Sequence, residues 1–202
     1  MKELFKIIGL ALSTVRLLPH LLLISKQDTL LQADIARWAD ILLTEKNLQP
    51  NLQPEWLTFI KLMTYFHEFR NLYYYRIGFK ARMFAWACTP LPTLYIHCPN
   101  IGPGLFIQHG FATIIAAKSI GANCWINQQV TIGYSNNSDA PTIGNGVSIS
   151  AGAKVLGDVT IGDYSKIGAN AVVVKNVPAN CTVVGVPAYI VKQDGVKVQK
   201  PL

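Results

Sequence analysis

Through residues 101–174 the chain keeps a period of six. Ile143, Ile149, Val155, Ile161, Ile167 and Val173 are spaced six apart, as are Ile120, Ile126 and Ile132, and again Ile101 and Ile107. A helix of 3.6 residues per turn cannot hold such a period on one face, whereas a short strand followed by a turn can. Four places after most anchors stands another apolar or small residue: Leu105, Phe111, Cys124, Val130, Val147, Ala153, Val159, Ser165 and Ala171. A small residue often follows the anchor directly, as at Gly102, Gly121, Gly133, Gly144, Ser150, Gly162 and Gly168. The spacing predicts a parallel β-helix of triangular section, about three repeats to a coil. The anchors fill its interior, and the small residues are expected to let the chain turn each corner.

The rhythm breaks twice. A slip falls between Ile107 and Ile114, and a longer interruption, YSNNSDAPT, occupies residues 134–142. That stretch is polar and turn-rich, so it reads as a loop extruded from the coil, and loops on rigid scaffolds commonly carry function.

Upstream the pattern is helical. Residues 1–26 read as a helix bent or broken near Pro19. Leu31, Ile35, Trp38 and Leu42 form one apolar stripe over 28–46, with Asp28 as N-cap. NLQPNLQP at 47–54 reads as a linker or tight turn. A third helix from Glu55 is expected to bury Trp56, Ile60, Met63 and His67 and to run toward Tyr75 or Gly78. Pro90 and Pro92 close this part. The expected class is α+β, with helices over 1–90, a β-helix over 94–192 and a polar tail over 193–202.

Residues 5–25 are apolar enough to suggest a membrane segment, but Arg16, Pro19 and His20 interrupt them and no small-residue cleavage site follows. Two readings stay open. One is a buried or oligomer-facing helix pair. The other is peripheral membrane contact, with Lys2, Lys6, Arg16 and Lys26 beside the apolar face. The net charge of +7 divides almost evenly between the halves, +4 over 1–100 and +3 over 101–202, with no basic run, which argues against a nucleic-acid partner. Scattered lysines suit a small anionic ligand such as a phosphorylated cofactor. Cys88, Cys98, Cys124 and Cys181 form no CxxC pair and read as reduced thiols of a cytoplasmic protein.

The repeats contain one histidine, His109, two places after an anchor and therefore facing outward. Its surroundings, GLFIQHGFATII, then aligned hexapeptides, an extruded loop, AGAKVLGDVTIG and GVPA, resemble the serine acetyltransferase branch of the hexapeptide acyltransferases. The resemblance spans roughly residues 66–190 and includes FHEFRNLYYYRIG. It implies a left-handed β-helix, a homotrimer or dimer of trimers with sites shared between subunits, and acetyl transfer from acetyl-CoA to an acceptor hydroxyl without a metal.

In that family the histidine matching His109 is the general base. Taking the proton from a weakly nucleophilic hydroxyl is worth typically ~10²–10⁴-fold. The developing carbonyl charge needs a donor, for which backbone N–H groups of the coil are candidates. The resemblance places the pantetheine chain along Ala151, Gly152 and Ala169, and CoA phosphate near Lys166, with Lys175 and Lys192 as further cations. Tyr189 stands where the family commonly has Arg or Lys after GVPA.

The acceptor end departs from the family. Gln108 replaces an aspartate before the histidine, and Asp139-Ala140 replaces the Arg-His pair before the loop proline, Pro141. Gln108 and Asp139 are therefore the expected acceptor contacts, and a carboxylate-bearing acceptor is disfavoured beside Asp139. The expectation is a sugar hydroxyl of a surface polysaccharide or its precursor, acted on in the cytoplasm or at the inner face of the membrane. The alternatives are serine, as in cysteine biosynthesis, and a non-catalytic scaffold. Family members that dock the next enzyme of cysteine synthesis usually end in isoleucine, and Leu202 stands last here. A zinc enzyme on the same coil would need three converging histidines, and His97 lies outside the repeats. A nucleotidyltransferase would need a glycine-rich nucleotide fold upstream, where helices are expected instead.

Overall fold

The computed structural model describes residues 2–25, 27–44, 54–136 and 139–202, with backbone alone for 2–8, 43 and 44. Residues 47–53 of the expected linker, Lys26, the side chains of Lys2 and Lys6, and Asn137 and Ser138 of the expected loop lie outside that description. The chain divides into two compact units, Met1–Leu91 and Pro92–Leu202.

The first unit is helical: α1 (Lys2–Leu22), α2 (Thr29–Thr44), α3 (Glu55–Tyr65), α4 (His67–Ile77) and α5 (Phe79–Arg82). The helix is not broken at Pro19, which lies within the last turn of α1. Asp28 caps α2, its Oδ1 accepting from Leu31 N–H at 3.0 Å. Leu31, Ile35 and Trp38 are buried on one stripe, as expected, while Leu42 is half-buried. The third helix differs from expectation. It stops at Phe66, whose backbone is extended (φ −123°, ψ 102°), and α4 begins at His67. Its buried face is Phe59, Ile60, Leu62 and Met63, leaving Trp56 and His67 exposed.

The stop is stabilised from α4. The buried Arg70 guanidinium donates to Met63 O (2.7 Å) and Thr64 O (2.7 Å), satisfying carbonyls that the end of α3 leaves open, and to Thr89 O (2.8 Å) beyond α5. Asp34 of α2 and Arg76 of α4 form a buried ion pair at 2.7 Å. His20 is also buried. The Tyr74 hydroxyl donates its only proton to Cys88 O (2.6 Å), so it accepts from His20 Nε2–H at 2.9 Å, and the tautomer is thereby assigned. Burial, then the Arg16 charge, pushes the His20 pKa below its ordinary value.

The second unit is a left-handed parallel β-helix. Its first wall is formed by β1 (Leu94–Ile96), β3 (Thr113–Ile115), β6 (Thr131–Gly133), β9 (Lys154–Leu156) and β12 (Val172–Val173). The second comprises β4 (Ser119–Ile120), β7 (Thr142–Ile143) and β10 (Thr160–Ile161). The third comprises β2 (Phe106–Ile107), β5 (Trp125–Ile126), β8 (Ser148–Ile149), β11 (Lys166–Ile167) and β13 (Cys181–Val184), extended by β14 (Tyr189–Gln193) and β15 (Val196–Pro201). The anchors stack in register, Ile107 on Ile126, Ile149 and Ile167, and Ile120 on Ile143 and Ile161, all at or near zero exposure.

Three details differ from the sequence expectation. Ile115, not Ile114, is the buried anchor, eight residues after Ile107, and Phe111 is exposed, with Thr113 taking the inward place. The corner is turned at the third residue after an anchor: Gly104, Asn123, Gly146, Tyr164 and Asn180 have φ of 57–76° along one edge. The small residue directly after an anchor is required instead by coil stacking. A Cβ on Gly102 would lie 2.7 Å from the Gly121 backbone, and one on Gly121 2.7 Å from that of Gly144. Residues 193–202, expected as a tail, carry the hairpin strand β15. Asp194-Gly195, both at positive φ (48° and 84°), makes the two-residue turn that Asp-Gly favours.

Candidate active site

The edge joining the third wall to the first gathers most of the predicted site. His109 lies between β2 and β3, Ala151 and Gly152 between β8 and β9, and Ala169 between β11 and β12. Backbone bonds lock these turns into a ladder: Gln129 N–H to Phe111 O (2.8 Å), Gly152 N–H to Gln128 O (3.0 Å) and Asn170 N–H to Ala151 O (2.9 Å). The two extra residues between Ile107 and Ile115 fall at His109, where the histidine itself takes a left-handed backbone (φ 60°) and is exposed. Phe111 N–H closes this bulge on His109 O. Such a bulge re-aims a side chain off the regular wall. Gly152 has φ of 75°, and a Cβ there would collide with the Asn170 side-chain amide, so the Asn170 amide packs on the glycine at this part of the edge.

Lysines line the adjoining wall. Ser148, Lys166, Thr182 and Lys192 oppose one another on successive strands, with Lys166 and Lys192 both exposed. Two strand spacings separate those ammonium stems, about 10 Å at their base. Lys175 is directed differently: its Nζ donates to Leu202 O at 2.8 Å, beside a cavity of about 180 Å³ that Tyr189 also lines. Small residues thus line the edge, and exposed cations flank it on the adjoining wall. Among the described residues no group of three or more His, Cys, Asp or Glu is arranged to hold a metal ion.

Asp139 stands apart. It belongs to the loop between β6 and β7, on the edge joining the first wall to the second, so within one chain the structure does not bring it to His109. Its carboxylate accepts from Ser135 N–H (2.9 Å), the Ser135 hydroxyl (2.5 Å) and Asn136 N–H (2.8 Å). The Ser135 hydroxyl, then the Asn136 N–H, holds its pKa below the usual carboxylate value. Asp139 folds its own loop.

Gln108 is half-buried, and its Oε1 accepts from Trp125 Nε1–H at 3.2 Å. Sequence reasoning missed Trp125 and Asn127. A signal was present: the residue before an anchor is Ser, Thr or Lys at 119, 131, 142, 148, 154, 160 and 166, but aromatic at Phe106 and Trp125.

Residues 140–175 match the family model described as bacterial transferase hexapeptide (six repeats). The chain is 49% identical over 105 residues to a serine acetyltransferase of Staphylococcus aureus, covering 50% of this chain and 49% of that one. It is 39% identical over 132 residues to a serine acetyltransferase of Synechococcus elongatus, covering 63% and 54%. The chain thus spans about half the length of the curated relatives it matches. Among solved structures, the serine acetyltransferase of Neisseria gonorrhoeae aligns with a TM-score of 0.64 at 27% identity, over 86% of this chain and 69% of that one. A serine acetyltransferase in complex with CoA aligns with a TM-score of 0.53 at 27% identity, over 80% and 68%.

Proposed function

We propose that this serine acetyltransferase-like hexapeptide chain is an acetyl-CoA-dependent O-acetyltransferase with His109 as general base. One observation carries the reading: the exposed His109 shares an edge of the coil with the small residues Ala151, Gly152 and Ala169. Bound acetyl-CoA would supply the thioester carbonyl. The chain would hold its pantetheine arm against those residues and its phosphates with Lys166 and Lys192, while His109 takes the acceptor proton. Serine is the acceptor favoured by the names of the relatives.

A second acceptor, a sugar hydroxyl of a surface polysaccharide or its precursor, is favoured by the site's own side chains. The loop over 134–142 has no basic residue to answer an amino-acid carboxylate, and the residue before His109 is the amide Gln108. The same proposal includes a homotrimer or a pair of trimers, because His109 and the Asp139 loop lie on different edges and a second copy would bring them together. It places the protein in the cytoplasm, where α1 could meet the inner face of a membrane through Leu12, Val15, Leu18 and Leu22, all exposed. Among the described residues no helix is long and apolar enough to cross a membrane.

The test is thiol release from acetyl-CoA with L-serine and with a panel of sugars and nucleotide-sugars, for wild type and His109→Ala. Turnover lost in the variant supports the base assignment. Turnover retained in His109→Ala would remove it, and absence of both acetyl-CoA binding and turnover would favour the scaffold alternative.

A further inference from the structure

We infer that Gln108, Trp125 and Asn127 form an acceptor subsite beside His109 that takes a neutral polyhydroxyl acceptor, a sugar, in preference to an amino acid; this rests on the acetyltransferase reading above. Trp125 Nε1 can only donate. Its proton is directed at two amide oxygens, Asn127 Oδ1 at 2.8 Å and Gln108 Oε1 at 3.2 Å. That shared bond settles both amide orientations: the oxygens face the indole, and the two –NH₂ groups are the ends left for a ligand. Neither –NH₂ group has a partner among the described residues. Phe106 backs the indole edge-on, ring centroids 4.6 Å apart, and is itself buried, which fixes the Trp125 plane. Backbone bonds hold the frame, Gln108 N–H to Ile126 O (2.8 Å) and Asn127 N–H to Ile149 O (3.0 Å). All three side chains are half-buried, so each keeps a surface for contact.

The chemistry of the cluster selects its ligand. It offers amide N–H donors and an apolar indole but no charge. An amino acid needs an anion for its ammonium and a cation for its carboxylate. Gln108 supplies neither, and Asp139 is engaged by Ser135 and Asn136. A sugar ring presents hydroxyls to the amides and C–H faces to the indole, next to a base that needs a hydroxyl. Gln108 and Asn127 would touch the acceptor. Trp125 is also a positioning residue, acting through the orientation of both amides.

The experiment compares L-serine, N-acetyl-D-glucosamine and methyl β-D-galactoside as acceptors of the full chain, with acetyl-CoA binding followed by calorimetry. Wild type is expected to turn over one of the sugars with higher kcat/KM than L-serine. Gln108→Met keeps the side-chain length but removes the –NH₂ donors, and should raise the sugar KM roughly tenfold, the loss expected when one ligand hydrogen bond is deleted. Trp125→Phe keeps an aromatic ring but frees both amides, and should raise the sugar KM several-fold, more than it lowers kcat. In both variants the acetyl-CoA affinity and thermal midpoint should stay at the wild-type values. Higher kcat/KM for L-serine in wild type, or an unchanged sugar KM in both variants, would overturn the subsite. Wild type that binds no acetyl-CoA would instead remove the acetyltransferase reading on which the subsite rests.

Discussion

In the helical unit the buried side chains include Asp34, Arg70 and His20 together with Ser13 and Thr58; in the coil, among the described residues, the buried polar side chains are only Thr113 and Ser165. Each of those two settles on nearby backbone, Ser165 Oγ donating to Pro178 O at 2.7 Å and Thr113 Oγ1 to Phe111 O at 3.2 Å. The coil satisfies its backbone between successive turns, so its interior can be aliphatic and repetitive. The helices leave carbonyls and charges that must find individual partners, and those partners lie far along the chain: His20 with Tyr74, Asp34 with Arg76. The coil accordingly keeps His109, the proposed base, on the outside, while the helical unit uses its buried ionisable groups for structure.

That contrast can be tested. His109→Ala should cost activity by ~10²–10⁴-fold, with the thermal midpoint unchanged, because nothing in the coil interior depends on the imidazole. A lowered midpoint would show that the histidine also carries structure. Asp34→Ala should destabilise the helical unit by about 3–5 kcal/mol, since it leaves Arg76 charged and buried without its partner. Urea unfolding followed by tryptophan fluorescence would read this, and a loss below about 1 kcal/mol would mean that the pair is solvated. In the coil, Ile149→Val removes one methylene from a repeated stack and should cost about 0.5–1.5 kcal/mol by the same measurement. A larger loss would argue against interchangeable turns.

The smallest effect concerns pH. His20 is held neutral below its ordinary pKa, with Arg16 opposing its charge and Tyr73 and Tyr74 packed around it. The stabilisation is therefore complete above the ordinary histidine pKa of about 6.5 and is lost as pH falls through the depressed folded-state value. The unfolding midpoint should fall between pH 7 and pH 5, and His20→Leu should flatten that slope. A slope of equal size in the variant would assign it to other groups.

The anchors of the coil were legible because each turn repeats one steric problem, an inward aliphatic every six residues. His109 was legible because the period places it outward. The period could not distinguish Ile114 from Ile115, since two extra residues at the His109 bulge shift the register and only strand pairing with Ile96 and Ile132 selects Ile115. Nor could it assign the roles of the glycines, which depend on how closely the next turn approaches. In the helices the apolar stripe of α2 was visible, while the face of α3 was visible only at Ile60 and Met63, because Phe59 and Leu62 are buried by packing against other helices rather than by an isolated amphipathic pattern.

By itself, then, the sequence determined the coil, its anchors and the outward histidine, because short-range periodicity encodes them. Only the tertiary structure decided that Gln108, Trp125 and Asn127 share one proton, that Asp139 closes its own loop and that His20 reaches Tyr74. Contacts between residues distant in the chain, or between stacked turns, depend on where the folded backbone places them, and no local pattern records that position.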